Sequence, residues 1–273
     1  MSTIDFNTPE TLQPSTRPSL YWTFADALVL AKRHLIQIPR IPEELIFSTI
    51  QPIMFVLLFR YVFGGAIAVQ GTSYVNYLMA GIFAQTVIFG STTTGIGLAT
   101  DLQRGLVDRF RSLPMAKSAV LTGRTLADLV RNIFVIAVMW IVGLLVGFRP
   151  EGSPIALLGA VGLLLLTSFA FSWISATIGM AVSTVEAAQS AGFIWLFPLT
   201  FASSAFVPTQ SMNGWLRVFA EHQPVSIMIN AVRGLLLNHP DSSIVWQAVL
   251  WCVGILIVFV PLAVWTYGRR IAR

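Results

Sequence analysis

Charged side chains are concentrated in one short stretch of this 273-residue chain, DLQRGLVDRFRSLPMAKSAVLTGRTLADLVRN, residues 101–132. This charge block holds six of the seventeen Lys and Arg residues and three of the twelve acids, whereas residues 74–99 and 132–148 carry none. Mixed charge beside an apolar stripe is typical of a helix that binds a groove on a soluble partner. The charge block therefore predicts a docking element. The alternative is a solvated loop whose basic residues only set membrane orientation.

The first part of the charge block has the spacing of a short amphipathic helix. Its apolar residues recur at helical intervals, and Arg104, Asp108 and Arg111 fall on the opposite side. Pro114 is expected to end this helix. A second helical run, about 118–131, leads into the next apolar segment. An ordered apolar stripe is more than topology alone requires, which favours docking.

Residues for independent energy conversion or catalysis are missing from the apolar runs. These runs contain no Asp and no His, and Glu186 lies at the edge of one, so a proton relay of the usual kind is not expected. The single cysteine, Cys252, and three scattered histidines exclude a Cys-based zinc site. No Gly-Lys pair occurs, so a phosphate-binding P-loop is absent. We predict no catalytic residue, no metal and no cofactor here; if ATP drives the protein, another chain hydrolyses it.

The elements that must position the charge block are apolar. The chain is 55% hydrophobic and 11% charged, with mean hydropathy +0.75, whereas soluble domains average about 25% charged. The pI near 9.9 would suit nucleic acid, but the basic residues flank apolar runs, so no nucleic-acid partner is expected. Six runs can each cross a membrane as a helix: 46–68, 74–99, 132–148, 154–182, 188–208 and 244–267. The predicted fold class is an all-α polytopic membrane protein with six transmembrane helices.

Lys and Arg counts orient this bundle. Thirteen lie on the side of the termini and of a cytoplasmic loop, residues 100–131, against three on the other side, with Arg60 inside the first run. The excess predicts cytoplasmic N and C termini. Residues 20–42 are predicted to form an amphipathic helix at the cytoplasmic lipid interface, after a disordered lead-in, residues 1–19. The outer segment 208–243 predicts two short amphipathic helices at the outer interface or dipping into it.

Several residues inside the runs have two interpretations. Arg60 is interpreted as lining a pathway or contacting a partner subunit, or as a side chain that extends to the headgroups. The strip GSTTTGIG, residues 90–97, faces a pathway or lets helices approach closely. Pro198 kinks a gating helix or a static one. The candidate path residues are Phe55, Phe59, Phe89, Thr92, Thr93 and Phe197, and the candidate gating residues are Pro198 and Arg60. Phe83, Phe193 and Trp195 add aromatic surface, although such residues are also ordinary packing.

The ordered pieces of the chain resemble a type-2 ATP-binding-cassette exporter permease of the daunorubicin-resistance-like group. The pieces cover nearly the whole chain: IQPIMFVLLFRYVFGGAI, YLMAGI, GLVDRFRSLPMAKSAVLTGRTLADLVR and FASSAFVPTQSMNGWLRVFAEHQPVSIMINAVRGL. The third piece, inside the charge block, is the most specific. The resemblance implies six spans, paired permease subunits, and a separate ATP-binding subunit that carries ATP and magnesium.

The resemblance also assigns roles to residues. The family's coupling helix, which contacts the ATPase subunit, maps to Asp101, Arg104, Gly105, Asp108, Arg109 and Arg111, with Pro114 behind. The family often has an acid near the first of these, and here Asp replaces Glu. The external helices map to about 212–236. A bacterial plasma membrane location follows.

The expected function is export of an amphipathic drug or lipid from the cytoplasm or inner leaflet. The aromatic, sparsely charged spans favour cargo that enters from the bilayer. Two alternatives stay open: a polysaccharide or glycolipid export permease of the same superfamily, and a membrane immunity or scaffold protein without transport. The second permease subunit is either another copy of this chain or a different chain.

Overall fold

A computed structural model of the chain describes residues 42–67, 69, 71–105 and 117–271. These residues form helices, turns and connecting segments, with no strand among them. The predicted lead-in, nearly all of the predicted interfacial helix, and the centre of the charge block (106–116) lie outside the described residues. The all-α fold class is confirmed for the described part.

Nine α-helices follow one another in the part of the chain that the structure describes. They are α1 (Pro42–Leu57), α2 (Tyr74–Gly90), α3 (Thr92–Gln103), α4 (Lys117–Leu145), α5 (Pro154–Ala181), α6 (Val185–Phe201), α7 (Gly214–His222), α8 (Pro224–Leu236) and α9 (Ser242–Ile271). A π-helical turn, Leu58–Phe63, extends α1, and a 3-10 turn, Thr209–Ser211, precedes α7.

Four helical segments are long and apolar enough to cross a membrane: Tyr74–Gln103, Leu121–Leu145, Pro154–Ala181 and Ser242–Arg270. They correspond to the predicted second, third, fourth and sixth spans. The predicted first and fifth spans are occupied by shorter helices, α1 with its π turn and α6. The chain is therefore a membrane protein by helix length and composition, and the total of six spans stays a prediction.

The second predicted span is the centre of the bundle. Of its most apolar 18 residues, 83% are buried inside the protein, against 17% for the last span. Its first helix, α2, is capped by Ser73, whose Oγ accepts a hydrogen bond from the Asn76 backbone N–H at 3.3 Å. The segment divides at Ser91 into α2 and α3. Among its contacts, α2 packs against α4, α5 and α8, and α3 packs against α5 and α6.

Glycine allows a close approach of two helices, α3 and α5. A Cβ added at Gly95 would lie 2.3 Å from the Ser175 carbonyl oxygen, and one at Gly179 would lie 2.2 Å from the Gly95 carbonyl oxygen. Because both contacts are with backbone, neither can be relieved by rotating a side chain. The packing interpretation of the GSTTTGIG strip is therefore confirmed for its central glycine.

The helix of the predicted third span starts before the predicted boundary of that span. The sequence pattern predicts a boundary at residue 132, but α4 runs without a break from Lys117, and its apolar portion begins at Leu121. Asp128 and Arg131, which precede the predicted boundary, are buried against other helices. The depth at which the membrane meets this helix stays a prediction. The helical run predicted at 118–131 is confirmed.

The fifth span ends earlier than predicted, at Phe201 instead of residue 208. Residues 202–208 continue inside the protein as non-helical chain. The outer segment then forms two helices, as predicted. Trp215 on α7 is 79% exposed, whereas α8 packs between α2, α5 and α9 with Met228 and Ile229 fully buried. The second outer helix thus dips into the bundle.

Candidate cargo cavity and its connections

A cavity of about 140 Å³ lies where α1, α2, α3, α4 and α6 meet. Phe55, Phe89 and Phe193 form its aromatic lining. Its polar lining consists of Ser48, Gln51, Gln85, Thr86, Thr92, Thr93, Arg131 and Asn132. Four of the six predicted path residues, Phe55, Phe89, Thr92 and Thr93, therefore face one cavity, which we call the inner cavity.

Hydroxyl groups form the break in the second span. The Ser91 hydroxyl donates to the Ile88 carbonyl at 2.6 Å, and the hydroxyls of Thr92 and Thr93 donate to Phe89 and Gly90 at 2.7 Å each. Such bonds to the preceding turn are an alternative to regular helix hydrogen bonds and bend helices. The strip thus packs helices at its glycine and lines the inner cavity at its threonines.

Asp128 of α4 binds this break. Its carboxylate accepts hydrogen bonds from the hydroxyls of Thr94 and, at 3.4 Å, Thr93. The guanidinium of Arg131, one turn further along α4, lies 3.7 Å from the same carboxylate and donates to the Gly90 carbonyl at 2.7 Å. Both charged residues are buried. Paired charges with hydrogen bonds are the form in which buried ions are tolerated.

Asn132, the next residue of α4, connects α4 to α5. Its amide donates to the Ser168 hydroxyl of α5. Asp128, Arg131 and Asn132 thus fasten α4 to α2, α3 and α5 around the inner cavity. Sequence reasoning missed these residues because it assigned the end of the charge block to solvent. The signal was an Asp and an Arg one helical turn apart, directly before an uncharged run.

A row of phenylalanine rings leads away from the inner cavity. Phe197 is edge-on to Phe89 at 5.5 Å and stacked on Phe201 at 5.1 Å. Phe206 continues the row, 5.2 Å from Phe201 and 4.4 Å from Phe59. The two remaining predicted path residues, Phe59 and Phe197, therefore belong to this row and do not line the cavity.

Two of the other aromatic residues pack elsewhere. Phe83 lies 5.4 Å from Trp140, and Trp195 is stacked on Phe171 at 5.8 Å. Phe193, in contrast, lines the inner cavity and lies 5.8 Å from Phe89. Aromatic type alone therefore does not separate residues that line the cavity from residues that pack between helices.

The non-helical segment after α6 is held by side chains. Tyr74 and Tyr77 donate their hydroxyls to the carbonyls of Phe206 and Ser204 at 3.1 and 2.9 Å. Arg233 of α8 donates to the Ser204 carbonyl at 2.6 Å, with its guanidinium 3.6 Å from the centre of the Tyr77 ring. Irregular backbone at membrane depth is tolerated only where protein groups satisfy it. The hydroxyls of Tyr74 and Tyr77 and the guanidinium of Arg233 meet this requirement for the segment after α6.

Tyr77→Phe is expected to lower stability by about 1–2 kcal/mol, because it removes a donor to a buried carbonyl. Thermal unfolding of the detergent-solubilised chain measures the change. Tyr61→Phe is the matched control, since that side chain is 72% exposed and is expected to leave stability unchanged. Equal melting temperatures for the two variants would contradict the assigned role of Tyr77.

A larger cavity of about 940 Å³, the outer chamber, lies at the other end of the phenylalanine row. Four connections line it: the described residues 66, 67, 69, 71 and 72, Glu151, residues 207–211, and the end of α8 with its following turn. The charge count assigns all four to the outer side. On α7 nearby, a hydrogen bond from Arg217 lowers the pKa of the Glu221 carboxyl. That the four connections meet at one end fits the predicted topology, and the side of the membrane stays a prediction.

The described part of the charge block lies at the opposite end. Asp101 forms an ion pair with Arg124 of α4, whose Nη1 lies 3.1 Å from the Asp101 carboxylate, and both side chains are about one-fifth exposed. Such a pair contributes about 0–1 kcal/mol. Arg104 and Gly105 follow α3, and Gly105 has φ +65°, a conformation that favours glycine. Of the predicted coupling residues, Asp108, Arg109, Arg111 and Pro114 lie outside the described residues, and their role stays a prediction.

The predicted gating residues line neither cavity. Arg60 lies in the π-helical turn, with its guanidinium 5.9 Å from the Tyr61 ring, and its Nε has no hydrogen-bond partner among the described residues. π-helical turns are frequent at functional sites. Pro198 lies inside α6, which continues to Phe201. Gating by either residue stays a prediction.

Long apolar helices around a polar, aromatic-lined cavity define a membrane protein with an internal site for a small amphipathic molecule. The family described as ABC-2 type transporter matches residues 26–237. The chain belongs to this family, which confirms the resemblance found in the sequence.

Relatives cover most of the chain. It is 32% identical over 264 residues to the daunorubicin resistance ABC transporter permease protein DrrB1 of Streptomyces coeruleorubidus, covering 96% of this chain and 93% of that protein. It is 28% identical to the probable doxorubicin resistance ABC transporter permease protein DrrC of Mycobacterium tuberculosis, covering 88% and 87%. The putative transport permease ycf38 of Porphyra purpurea is 26% identical, covering 77% and 73%.

Proposed function

We propose that this chain is the permease subunit of an ATP-driven exporter that moves an amphipathic drug or lipid out of the cytoplasm or inner leaflet. Membership of the ABC-2 type transporter family supports the class of protein. Two relatives named for daunorubicin and doxorubicin resistance support a drug-like cargo.

One observation carries the mechanism: α4 joins the charge block to the inner cavity as a single helix. Its first half carries Arg124, which pairs with Asp101 at the end of α3. Further along, Asp128 and Arg131 bind the break between α2 and α3. Force applied to the charge block would therefore displace α3 and α4 together and change the cavity wall.

The energy source in this proposal is a separate ATP-binding subunit, which carries ATP and magnesium and docks on the coupling residues. ATP-dependent association of two such subunits would push on two permease chains, which are identical or different. The permease itself would bind cargo and change shape. The location is the plasma membrane of a bacterium, with the charge block on the cytoplasmic side.

The lining of the inner cavity favours amphipathic cargo. Three phenylalanine rings offer apolar contact, and two glutamines, an asparagine and several threonines offer hydrogen bonds. The polysaccharide alternative would need a wide channel, whereas the relatives named for daunorubicin and doxorubicin resistance support a drug-like cargo. Drug or lipid export is therefore the preferred proposal.

Thr86→Phe is expected to fill the inner cavity and to reduce daunorubicin binding at least about tenfold, equal to 1.4 kcal/mol. The Thr86 hydroxyl donates to the Ile82 carbonyl, and the residue is 8% exposed at the cavity wall. Quenching of daunorubicin fluorescence by the purified chain measures binding.

Thr177→Phe is the matched control for overpacking. This threonine also donates to the carbonyl four residues earlier and is 9% exposed, but it does not line the inner cavity. Equal loss of binding in both variants would refute the cavity as the cargo site.

Transport itself is tested in inside-out vesicles that contain the chain together with its ATP-binding subunit. ATP is expected to drive daunorubicin uptake, and a protonophore is expected to leave uptake unchanged. Uptake driven by a proton gradient without the ATP-binding subunit would refute the proposal. An ATP hydrolysis rate that is the same with and without the permease and its cargo would support the scaffold alternative.

A further inference from the structure

We propose that the inner cavity receives an uncharged, oxygen-bearing end of the cargo, that Gln85 recognises this end, and that Arg131 keeps cationic groups out. This inference rests on the proposed function and narrows the class of cargo. A drug that carries an amine would bind through its neutral rings and oxygens and hold the amine outside the inner cavity.

Gln85 is a buried amide whose side chain makes no hydrogen bond with the described residues. It lies in α2, is 4% exposed and lines the inner cavity. Burying an amide without a partner is costly, and such groups are rare in folded proteins. An amide at a cavity wall recovers this cost when a ligand binds, because it offers two N–H donors and one carbonyl acceptor.

The other buried, uncharged polar side chains of the lining already have partners in the protein. The hydroxyls of Thr86 and Thr92 donate to backbone carbonyls of α2 at 2.7 Å each. The Asn132 amide donates to the Ser168 hydroxyl of α5. We therefore assign to Gln85 the hydrogen bonds to the polar atoms of the cargo.

The charge that lines the inner cavity is positive. Among the described lining residues, Arg131 is the charged one, and its ion-pair partner Asp128, at 3.7 Å, is not part of the lining. The Asp128 carboxylate binds the hydroxyls of Thr93 and Thr94. The pair thus presents its guanidinium side to the cavity. An ammonium group that entered would lose water and meet this like charge in a site of low dielectric constant, which is unfavourable.

The phenylalanine rings fit the same end of the cargo. Gln85 and Phe89 lie one helical turn apart on α2, and the ring of Phe193 lies 5.8 Å from that of Phe89. Aromatic faces also attract cations. The described lining residues, however, include no carboxylate that would neutralise a cation. A flat ring that bears ketone or hydroxyl oxygens matches both the phenylalanine faces and the amide.

Two forms of one probe test the proposal on the wild-type chain. Daunorubicin carries a protonated amine on its sugar, and N-acetyl-daunorubicin has the same fluorescent rings without that charge. We expect the purified chain to bind the acetylated form at least as tightly as daunorubicin, measured by fluorescence quenching. Weaker binding of the acetylated form would overturn the proposal, because the ammonium would then be a recognised group.

Gln85→Leu tests the recognising residue, since leucine has a similar size and no hydrogen-bonding group. It is expected to weaken binding of both forms about fivefold, the net contribution of one hydrogen bond. Stability is expected to be unchanged or higher, because the variant removes a buried amide without a partner. Unchanged binding, or binding and melting temperature that fall together, would overturn the role of Gln85.

Gln85→Glu tests the charge selection. A carboxylate in the lining would neutralise an entering ammonium, so the affinity for daunorubicin relative to the acetylated form is expected to rise about tenfold. Gln210→Glu is the matched control: it makes the same change at an exposed position of the outer chamber and is expected to leave this ratio unchanged. An equal ratio in the two variants would contradict selection by charge at the inner cavity.

The outcomes separate this inference from the proposed function. Daunorubicin binding that Thr86→Phe removes, together with weaker binding of the acetylated form to the wild-type chain, would overturn the inference and leave the proposed function standing. Binding of neither form to the wild-type chain, or binding that Thr86→Phe leaves unchanged, would overturn both.

Discussion

Asp128→Ala is expected to abolish nearly all ATP-driven transport and to lower the melting temperature by roughly 5 °C or more. The Asp128 carboxylate is the acceptor for Thr93 and Thr94 and lies beside the Arg131 guanidinium; all of these residues but Thr93 are buried. Removing one partner of a buried ion pair costs about 3–5 kcal/mol. The same change separates α4 from the break in the second span, through which we propose that force reaches the inner cavity.

Two comparisons show whether Asp128 connects the helices or only stabilises them. Asp128→Asn keeps the shape and one acceptor oxygen, so it is expected to recover much of the stability but less of the transport. Asp101→Ala, which removes a pair about one-fifth exposed, is expected to change stability by at most about 1 kcal/mol. Thermal unfolding and vesicle transport are measured on each variant. Wild-type stability and transport in Asp128→Ala would contradict the assignment.

Gly95→Val is expected to prevent assembly of the native bundle or to destabilise it by about 3 kcal/mol or more. An added Cβ at this position would lie 2.3 Å from the Ser175 carbonyl oxygen, and the two helices would have to separate to admit it. Since α3 begins at the break in the second predicted span, separation of α3 from α5 would also disrupt that break. We expect little folded protein and no transport.

The matched control is Gly162→Val in α5. A Cβ there meets nothing within 4 Å, and the position is exposed, so the helix accepts the side chain without a clash. Size-exclusion chromatography in detergent and thermal unfolding compare the variants. Similar yield and melting temperature for both would show that the α3–α5 contact is not as close as described.

The apolar helices and the location of the polar strip could be predicted from the sequence. Runs near 20 residues without charge have few alternatives to membrane helices, because hydrocarbon offers no partner for open backbone. The same reasoning marked residues 90–97 as a site for close packing or a pathway; close packing occurs at Gly95, Thr92 and Thr93 line a cavity, and the pathway stays a prediction. The aromatic residues that line the cavity could be predicted only in part, since ring type does not say which side of a helix faces a cavity.

The positions of buried charges depended on tertiary structure. The sequence pattern assigns Asp128 and Arg131 to the end of a cytoplasmic loop. Hydropathy scores each charged residue as unfavourable in a membrane and does not include hydrogen-bond partners on other helices. The structure supplies those partners from residues more than thirty positions earlier, Gly90 and Thr94. The non-helical chain after Phe201 likewise depends on Tyr74 and Tyr77, far away in sequence.

The sequence by itself determined the helical membrane class, the family, and the separation of charge from apolar runs. These follow from local composition and order, which any membrane imposes on each segment independently. Only the tertiary structure decided which polar groups share a cavity, which arginine binds which carbonyl groups, and where each helix begins. Those features depend on distances between segments remote in the chain, and a hydrogen bond exists only when both partners are in place.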